Sequence, residues 1–279
     1  MAAFLSCLPF PFRFLLLLLL SLLLSTSAAD SSSFQDFSII DYDGSYQDYS
    51  PPSPPPPPPS PPHPSSISCV DDLKGIGSLN DSCELNTDLE LDSDLFVEAN
   101  GSVQVLQGVS VICAIAGCSV TFNLSGDFTL GENASIVAGL VVVYATNVTL
   151  AEGSLISTVA LAGSPPAQTS GTPLGIDGAG GGHGGRGACC LKDSKKLPED
   201  VWGGDAYSWS SLQKPCSYGS KGGTTSKEFD YGGGGGGRIW LEVLGDLLAN
   251  GTISADGGDG GLKGGGGSGG SIYMTAPRM

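Results

Sequence analysis

The chain has 279 residues, of which 40% are hydrophobic and 14% charged, and its formal net charge at pH 7 is −16. Residues 30–171 carry 17 acidic side chains and one basic residue, Lys74, whereas residues 172–279 carry 11 acidic and 10 basic side chains. This balance excludes nucleic-acid binding through phosphate neutralisation, which needs surfaces rich in Lys and Arg. It also predicts repulsion from anionic membranes and from polyanions such as demethylated pectin.

The N-terminus has the pattern of a secretory signal peptide. Arg13 is the one charge before an apolar stretch of about eleven residues, and small residues with an S-x-A cleavage pattern follow at 25–29. The stretch is too short to span a bilayer, which takes about 20 apolar residues. We predict that residues 1–29 are a cleaved signal peptide; the alternative is an uncleaved anchor.

Six of the seven asparagines lie in N-x-S/T acceptor sequons, and only Asn86 does not. N-glycosylation requires passage through the secretory lumen and a surface position for each Asn. Asn-Gly and Asn-Ala are also ordinary turn sequences, so the sequons are expected where strands turn. The predicted N-glycosylation sites are Asn80, Asn100, Asn123, Asn133, Asn147 and Asn250.

Residues 30–68 are predicted to be a disordered, acidic and proline-rich linker. An acidic-aromatic stretch is followed by a Ser-Pro segment at 50–62 that contains six consecutive prolines. Such a run forms a polyproline II rod of about 3.1 Å per residue, so a stiff spacer is the simplest interpretation. Ser53 with its six following prolines also resembles the Ser-(Pro)n repeat of plant extensins, which implies a cell wall protein with hydroxylated, arabinosylated prolines.

Residues 69–170 are predicted to form β-structure, because β-branched and aromatic residues alternate with polar ones and helix signals are nearly absent. The segment 128–136 is similar to the segment 148–156, and related phrases occur at 97–103 and 248–253. A period of about 20–30 residues is typical of solenoids. We therefore predict an all-β parallel β-helix (β-solenoid), with an antiparallel β-sandwich as the alternative.

Glycine is concentrated near the C-terminus: 32 of the 43 glycines follow residue 170, in clusters at 178–187, 232–237 and 257–270. Dense glycine resists ordinary core packing through its backbone entropy. Strand-like pieces nevertheless follow the clusters, at 238–243 and 271–274. Residues 171–279 are therefore predicted to be a glycine-rich, partly flexible β continuation built of stacked turns.

Seven cysteines remain after removal of the signal peptide, which contains Cys7. In an exported chain they are disulfide candidates. Cys113 and Cys118 are close enough to close one loop, and Cys69 with Cys83 would fasten the start of the folded body. One of Cys189, Cys190 and Cys216 is then left over. Zinc binding is not expected, because there is no C-x₂-C pair and His63 and His183 are the only histidines.

No catalytic motif is found, and neither an active site nor a cofactor is predicted. His183 and Arg186 lie in a glycine loop that is more typical of a turn than of an anion site. The Gly-Asp pattern at 256–261 resembles calcium-binding β-rolls only faintly, since it is not repeated. Asp71, Asp72, Asp92 and Asp94 are acidic pairs of the kind glycosidases use, with nothing further to mark them.

Three glycine-rich phrases resemble a family of large plant glycine-rich membrane proteins. They are the segment 231–240, the segment 178–186 and the ending 264–273. The resemblance implies a signal peptide, a β-rich ectodomain and, in the longer relatives, transmembrane helices near the C-terminus. This sequence contains no such span and ends just after a strand-like piece, which suggests a truncated product. The resemblance carries over no activity to particular residues.

The sequence thus predicts a secreted or cell-surface N-glycosylated plant protein with a structural or interaction role at the cell wall or the outer face of the plasma membrane. The expected partner is a cell-wall polysaccharide or a surface protein. The alternatives are a carbohydrate-active β-helix enzyme and a polysaccharide-binding module. A cleft lined by several charged side chains would favour the enzyme.

Overall fold

A computed structural model describes residues 67–166, 168–171, 178–189, 203–207 and 213–279. The predicted signal peptide, the proline-rich segment and Cys190 lie outside these residues. The described residues contain sixteen β-strands and no helix, so the fold is all-β. The strands are β1 (Ile76–Gly77), β2 (Ser82–Leu85), β3 (Leu89–Glu90), β4 (Leu95–Ala99), β5 (Ser102–Val105), β6 (Ser110–Ile112), β7 (Ser119–Leu124), β8 (Phe128–Leu130), β9 (Ser135–Val137), β10 (Leu140–Ala145), β11 (Val148–Leu150), β12 (Leu155–Ser157), β13 (Arg238–Val243), β14 (Leu247–Ala249), β15 (Thr252–Ser254) and β16 (Ser271–Thr275).

The strands form three sheets. Sheet A has the order β1-β2-β5-β8-β11-β14, sheet B the order β15-β12-β9-β6-β3, and sheet C the order β16-β13-β10-β7-β4. From β2 onward, the chain passes from sheet A to sheet B to sheet C five times in succession, and it returns from sheet C to sheet A four times. All strand pairs are parallel except β1–β2. The fold is therefore solenoid-like, and the alternative of an antiparallel β-sandwich is wrong.

The core lies between the three sheets and is built from alternate residues of each strand. In β7, Val120, Phe122 and Leu124 are buried, while the residues between them face outward. Register partners from successive turns stack on one another, as Phe122 does between Val97 and Val143. A single turn cannot bury its inward side chains by itself, so stability depends on stacking.

The similarity between segments 128–136 and 148–156 reflects the strand register. Phe128 pairs with Val148, and Ile136 pairs with Ile156. Between these strands, Asn133 and Gly153 occupy the same corner with φ of 55° and 71°. Asn and Gly tolerate this left-handed conformation, which explains why both recur there. The phrase at 97–103 belongs to a different corner, between β4 and β5, so its similarity is not structural equivalence.

Two predicted disulfides are confirmed. Cys69–Cys83 joins the segment before β1 to strand β2, and Cys113–Cys118 closes the loop between β6 and β7. This closed loop lengthens its turn of the solenoid, so more residues separate Val103 from its partner Phe128 than separate Phe128 from Val148. Of the other candidates that are described, Cys216 is an exposed free thiol and Cys189 is half-buried.

The sheets continue beyond the long segment 158–237, because β13 pairs with β10 on one side and β16 on the other. Beside them lies what we call the glycine bundle, formed by the described segments 219–223, 232–237, 255–258 and 264–270. These segments contain no hydrogen-bonded turns or bends.

Hydrogen bonds in the glycine bundle recur at every third residue. Gly233 and Gly236 donate to the carbonyls of Gly265 and Ser268, and they accept from the N–H groups of Gly222 and Gly219. A third neighbour, Gly258, donates to the carbonyl of Gly234. A period of three matches the three residues per turn of a polyproline II helix. Each chain therefore has hydrogen-bonded neighbours in several directions, whereas a β-strand has them on two sides only.

Only glycine fits in much of the bundle. A Cβ added to Gly222 would lie 1.8 Å from the carbonyl oxygen of Gly265, and one added to Gly236 would lie 2.0 Å from that of Ala255. Neither residue has a positive φ, so the requirement is close backbone approach and not an unusual conformation. The glycine clusters are therefore a packing element of the fold.

Candidate functional site

The outward face of sheet C carries the most aromatic cluster on the sheets. Because side chains alternate along a strand, every second residue of β4, β7, β10, β13 and β16 points away from the core. Strand register aligns these residues into three rows that cross the sheet. The first row is Ser119, Leu140, Arg238 and Ser271; the second is Phe96, Thr121, Val142, Trp240 and Tyr273; the third is Glu98, Asn123, Tyr144, Glu242 and Thr275.

Trp240 and Tyr273 form a pair at one end of this face. Their ring centroids are 4.1 Å apart with an interplanar angle of 32°. The indole N–H of Trp240 donates to the Glu242 carboxylate at 3.2 Å, which fixes the indole on the strand. Tyr144 is the register partner of Glu242. Partial burial raises the pKa of the Tyr144 hydroxyl, and the nearby Glu242 charge raises it further. Tyr144 is therefore a neutral hydroxyl at pH 7. The face therefore combines flat apolar rings with hydrogen-bonding groups.

A pocket of about 210 Å³ opens beside this cluster. Its walls come from β10, from β13 and from the segment that contains Cys216. The Arg238 side chain lines one end, with its guanidinium 4.1 Å from the Tyr218 ring centroid. The pocket-lining residues are Leu140, Val142, Tyr144, Pro215, Cys216, Arg238, Ile239 and Trp240.

Five of the six predicted glycosylation sites are exposed: Asn80, Asn100, Asn123, Asn133 and Asn250. Asn123 departs from the expectation that sequons occupy turns, because it lies within strand β7. It points outward from sheet C beside Tyr144. A glycan on Asn123 would therefore border the aromatic face.

Asn147 is the exception, and we expect it to carry no glycan in the folded protein. Its amide nitrogen donates to Asp127 at 2.8 Å, and its amide oxygen accepts from the backbone N–H of Asp246 at 2.9 Å. A sugar on this half-buried nitrogen would compete with those contacts. Site-resolved mass spectrometry should find glycans at the exposed sequons and none at Asn147. Full occupancy at Asn147 would contradict this assignment.

Several of the abundant carboxylates have structural roles between turns. Asp88 accepts from the backbone N–H of Ser110, Asp94 from that of Ser119, and Asp127 from that of Asn147, at 2.8–3.1 Å. Of the other acidic residues considered, Asp72 accepts from the Ser68 N–H and Asp92 from the Ser93 hydroxyl. The bonds of Asp88, Asp94 and Asp127 satisfy backbone donors at the solenoid corners, where the ladder is interrupted.

The glycine-loop candidates do not assemble into a site. His183 Nδ1 is 2.7 Å from the carbonyl oxygen of Gly269, and its ring stacks on Tyr207 at 4.9 Å. Arg186 lies 3.6 Å from the carboxylate of Asp205. Among the described residues, no group of three or more His, Cys, Asp and Glu side chains is placed to hold a metal ion.

Sequence reasoning missed the aromatic face and its pocket. Alternation within 238–243 and 271–275 places Trp240 and Tyr273 on the same side of their strands as Arg238 and Ser271. The register of β13 on β10 could not be predicted, because the long segment 158–237 separates β12 from β13. Without that register, the sequence does not show that Tyr144 lies beside Glu242.

No helix in the described part of the chain is long and apolar enough to cross a membrane. Comparison of the chain with known protein families, curated proteins and solved structures finds no match.

Proposed function

We propose that this protein is an extracellular, N-glycosylated parallel β-helix that contacts neutral cell-wall polysaccharide through the outward face of sheet C and has no catalytic activity. The observation that carries the proposal is the outward-facing cluster of Tyr144, Trp240 and Tyr273, with Glu242 beside both Tyr144 and Trp240. Aromatic rings offer a sugar apolar contact area, and the neighbouring oxygens accept hydrogen bonds from its hydroxyl groups.

The geometry suits an extended polymer. Neighbouring strands are about 4.8 Å apart, so the rows across sheet C present side chains at a regular spacing over five strands. A chain laid along a row would meet Val142, Trp240 and Tyr273 in succession. The net charge of −16 disfavours polyanions and leaves neutral polysaccharide as the compatible class.

An extracellular location is supported by two observations. The described residues contain two disulfides, which persist in oxidising compartments. Five of the predicted glycosylation sites are on the surface, where sugar chains can be accommodated. We propose that the plant glycine-rich proteins are its relatives and that the proline-rich segment is its wall-facing arm.

Intact mass of the protein secreted from plant cells tests the location. We expect loss of residues 1–29, an N-glycan ladder that glycosidase removes, and added pentose on the proline run. A chain that retains its leader and carries no glycan would overturn the extracellular assignment.

Removing the aromatic pair should abolish most polysaccharide binding. We expect Trp240→Ala and Tyr273→Ala each to weaken binding to an insoluble neutral β-glucan about tenfold, because each loses a stacking surface of about 1 kcal/mol or more. Sedimentation with the polysaccharide measures the bound fraction. Phe229→Ala is the matched control, since Phe229 is 66% exposed and lies in the loop between segments 219–223 and 232–237 of the glycine bundle.

Three further measurements complete this test. Demethylated pectin should not bind, and Asn123→Gln should bind at least as well as the unaltered protein because the bordering glycan is gone. The number of reducing ends should stay constant during incubation with the glucan. An increase in reducing ends would favour the carbohydrate-active enzyme, and equal binding by all variants would exclude this face.

A further inference from the structure

We propose that the pocket beside Arg238 binds a small aromatic carboxylate, with the carboxylate on the Arg238 guanidinium and the ring on the apolar wall. This inference is independent of polysaccharide binding, since it concerns a small molecule that fills the pocket and not a polymer lying on the face. It rests on the hydrogen-bonding state of Arg238, the chemistry of the walls and the volume.

Arg238 has unused hydrogen-bonding capacity. Within the described residues, two of its five N–H groups have partners: Nη1 donates to the Cys216 carbonyl at 2.7 Å, and Nη2 donates to the Tyr218 hydroxyl at 3.1 Å. The buried Nε has no hydrogen-bond partner among the described residues. No carboxylate forms an ion pair with Arg238 in the described part of the chain, although the protein as a whole carries excess acid.

The Arg238 guanidinium is held in a fixed position. Tyr218 stacks on it, and the Cys216 carbonyl accepts a hydrogen bond from it. Because Arg stays protonated at all ordinary pH values, the pocket has a permanent positive end. A planar guanidinium matches the geometry of a carboxylate better than a lysine ammonium would.

The remaining wall is apolar. Leu140 is the register partner of Arg238, and Val142 is the partner of Trp240, so aliphatic side chains face the cation and the indole across one strand spacing. Pro215 contributes a further apolar surface from outside the sheet. The volume of about 210 Å³ fits one ring with its carboxylate, since a cavity of about 150 Å³ holds benzene.

Charge also sets the orientation of the ligand. Glu242 is four residues along β13 from Arg238, about 13 Å in an extended strand, and on the same face. The negative group of a ligand is therefore favoured at the Arg238 end and disfavoured near Tyr144 and Glu242. An anion with its charge at one end of a flat ring meets both conditions, whereas a dianion with a charge at each end does not.

The test compares benzoate with benzyl alcohol, which has a similar ring and no charge. Titration of the intact secreted protein at about 0.15 M salt, followed by ligand-observed NMR, gives both affinities. We expect saturable benzoate binding at about 1 mM or tighter, and binding of benzyl alcohol at least about tenfold weaker. Arg238→Gln should weaken benzoate about tenfold and leave benzyl alcohol unchanged.

Arg278→Gln is the control, because Arg278 is an exposed arginine paired with Asp246 and remote in sequence from the pocket. It should leave benzoate affinity unaltered. The proposal is overturned if benzoate does not saturate by about 10 mM, if the two ligands bind equally, or if Arg278→Gln weakens benzoate as much as Arg238→Gln does. If Arg238→Gln does not fold, the relative affinities of benzoate and benzyl alcohol for the unaltered protein still test the proposal.

Discussion

Replacement of Gly222 by alanine should destabilise the protein by about 3 kcal/mol or more, at the upper end of overpacking effects. The added Cβ would lie 1.8 Å from the carbonyl oxygen of Gly265 and 2.4 Å from its carbon. Both atoms belong to backbone, so no flexible side chain can move away. The Gly222 N–H bond to Gly233 and the Gly265 N–H bond to Gly223 hold the chains together at this point, and separating them would strain both. Denaturant unfolding of the purified protein measures the loss.

The matched control is Gly185→Ala, in another glycine cluster. A Cβ there meets nothing within 4 Å, and Gly185 does not have a positive φ. Its stability should stay the same or increase by about 0.4–1 kcal/mol, because alanine restricts the unfolded chain. If both variants behave alike, the bundle is not close-packed in solution and the glycine clusters act only as linkers.

Truncation of Phe122 to alanine should cost about 3–5 kcal/mol, since it empties the centre of the solenoid. The ring is fully buried and its centroid lies 5.0 Å from that of Phe128. Its register partners, Val97 and Val143, are small and cannot fill the space from either side. Thermal and denaturant unfolding should both show the loss, with strands on each side of β7 affected.

Phe229→Ala is the control for Phe122→Ala as well. Its ring is 66% exposed, so its stability should change by no more than about 0.5 kcal/mol. A cost below about 1 kcal/mol for Phe122→Ala would mean that the turns do not share a continuous core.

A good part of the fold was predictable because it is encoded locally. Alternation such as Val120, Phe122 and Leu124 indicates a strand with one buried face, and the structure has it. The repeat of 128–136 at 148–156 indicated stacking, because Phe128 and Val148 lie at equivalent positions of successive turns. Only one pair of segments aligned cleanly, since the loop closed by Cys113–Cys118 lengthens one turn and the segment 158–237 separates the related phrase at 248–253 from the turn before it.

The arrangement of the glycine clusters could not be predicted from local sequence. Their composition indicated turns or a linker, because glycine by itself favours neither strand nor core. What orders them is hydrogen bonding between segments far apart in sequence, such as Gly181 with Gly266. No short stretch of sequence contains both hydrogen-bonding partners, so the bundle can be recognised only in the tertiary structure.

The sequence by itself determined the all-β class, the two short-range disulfides, the acidity and the sequons, because each depends on neighbouring residues or on composition. The tertiary structure decided what depends on register across the long segment 158–237. That register brings Arg238 beside Leu140 and Trp240 beside Val142, and it leaves Tyr273 half-buried next to Trp240 on the last strand of sheet C. The aromatic face and its pocket therefore exist only once distant strands have paired, which is why the residues proposed to bind ligand carry no motif of their own.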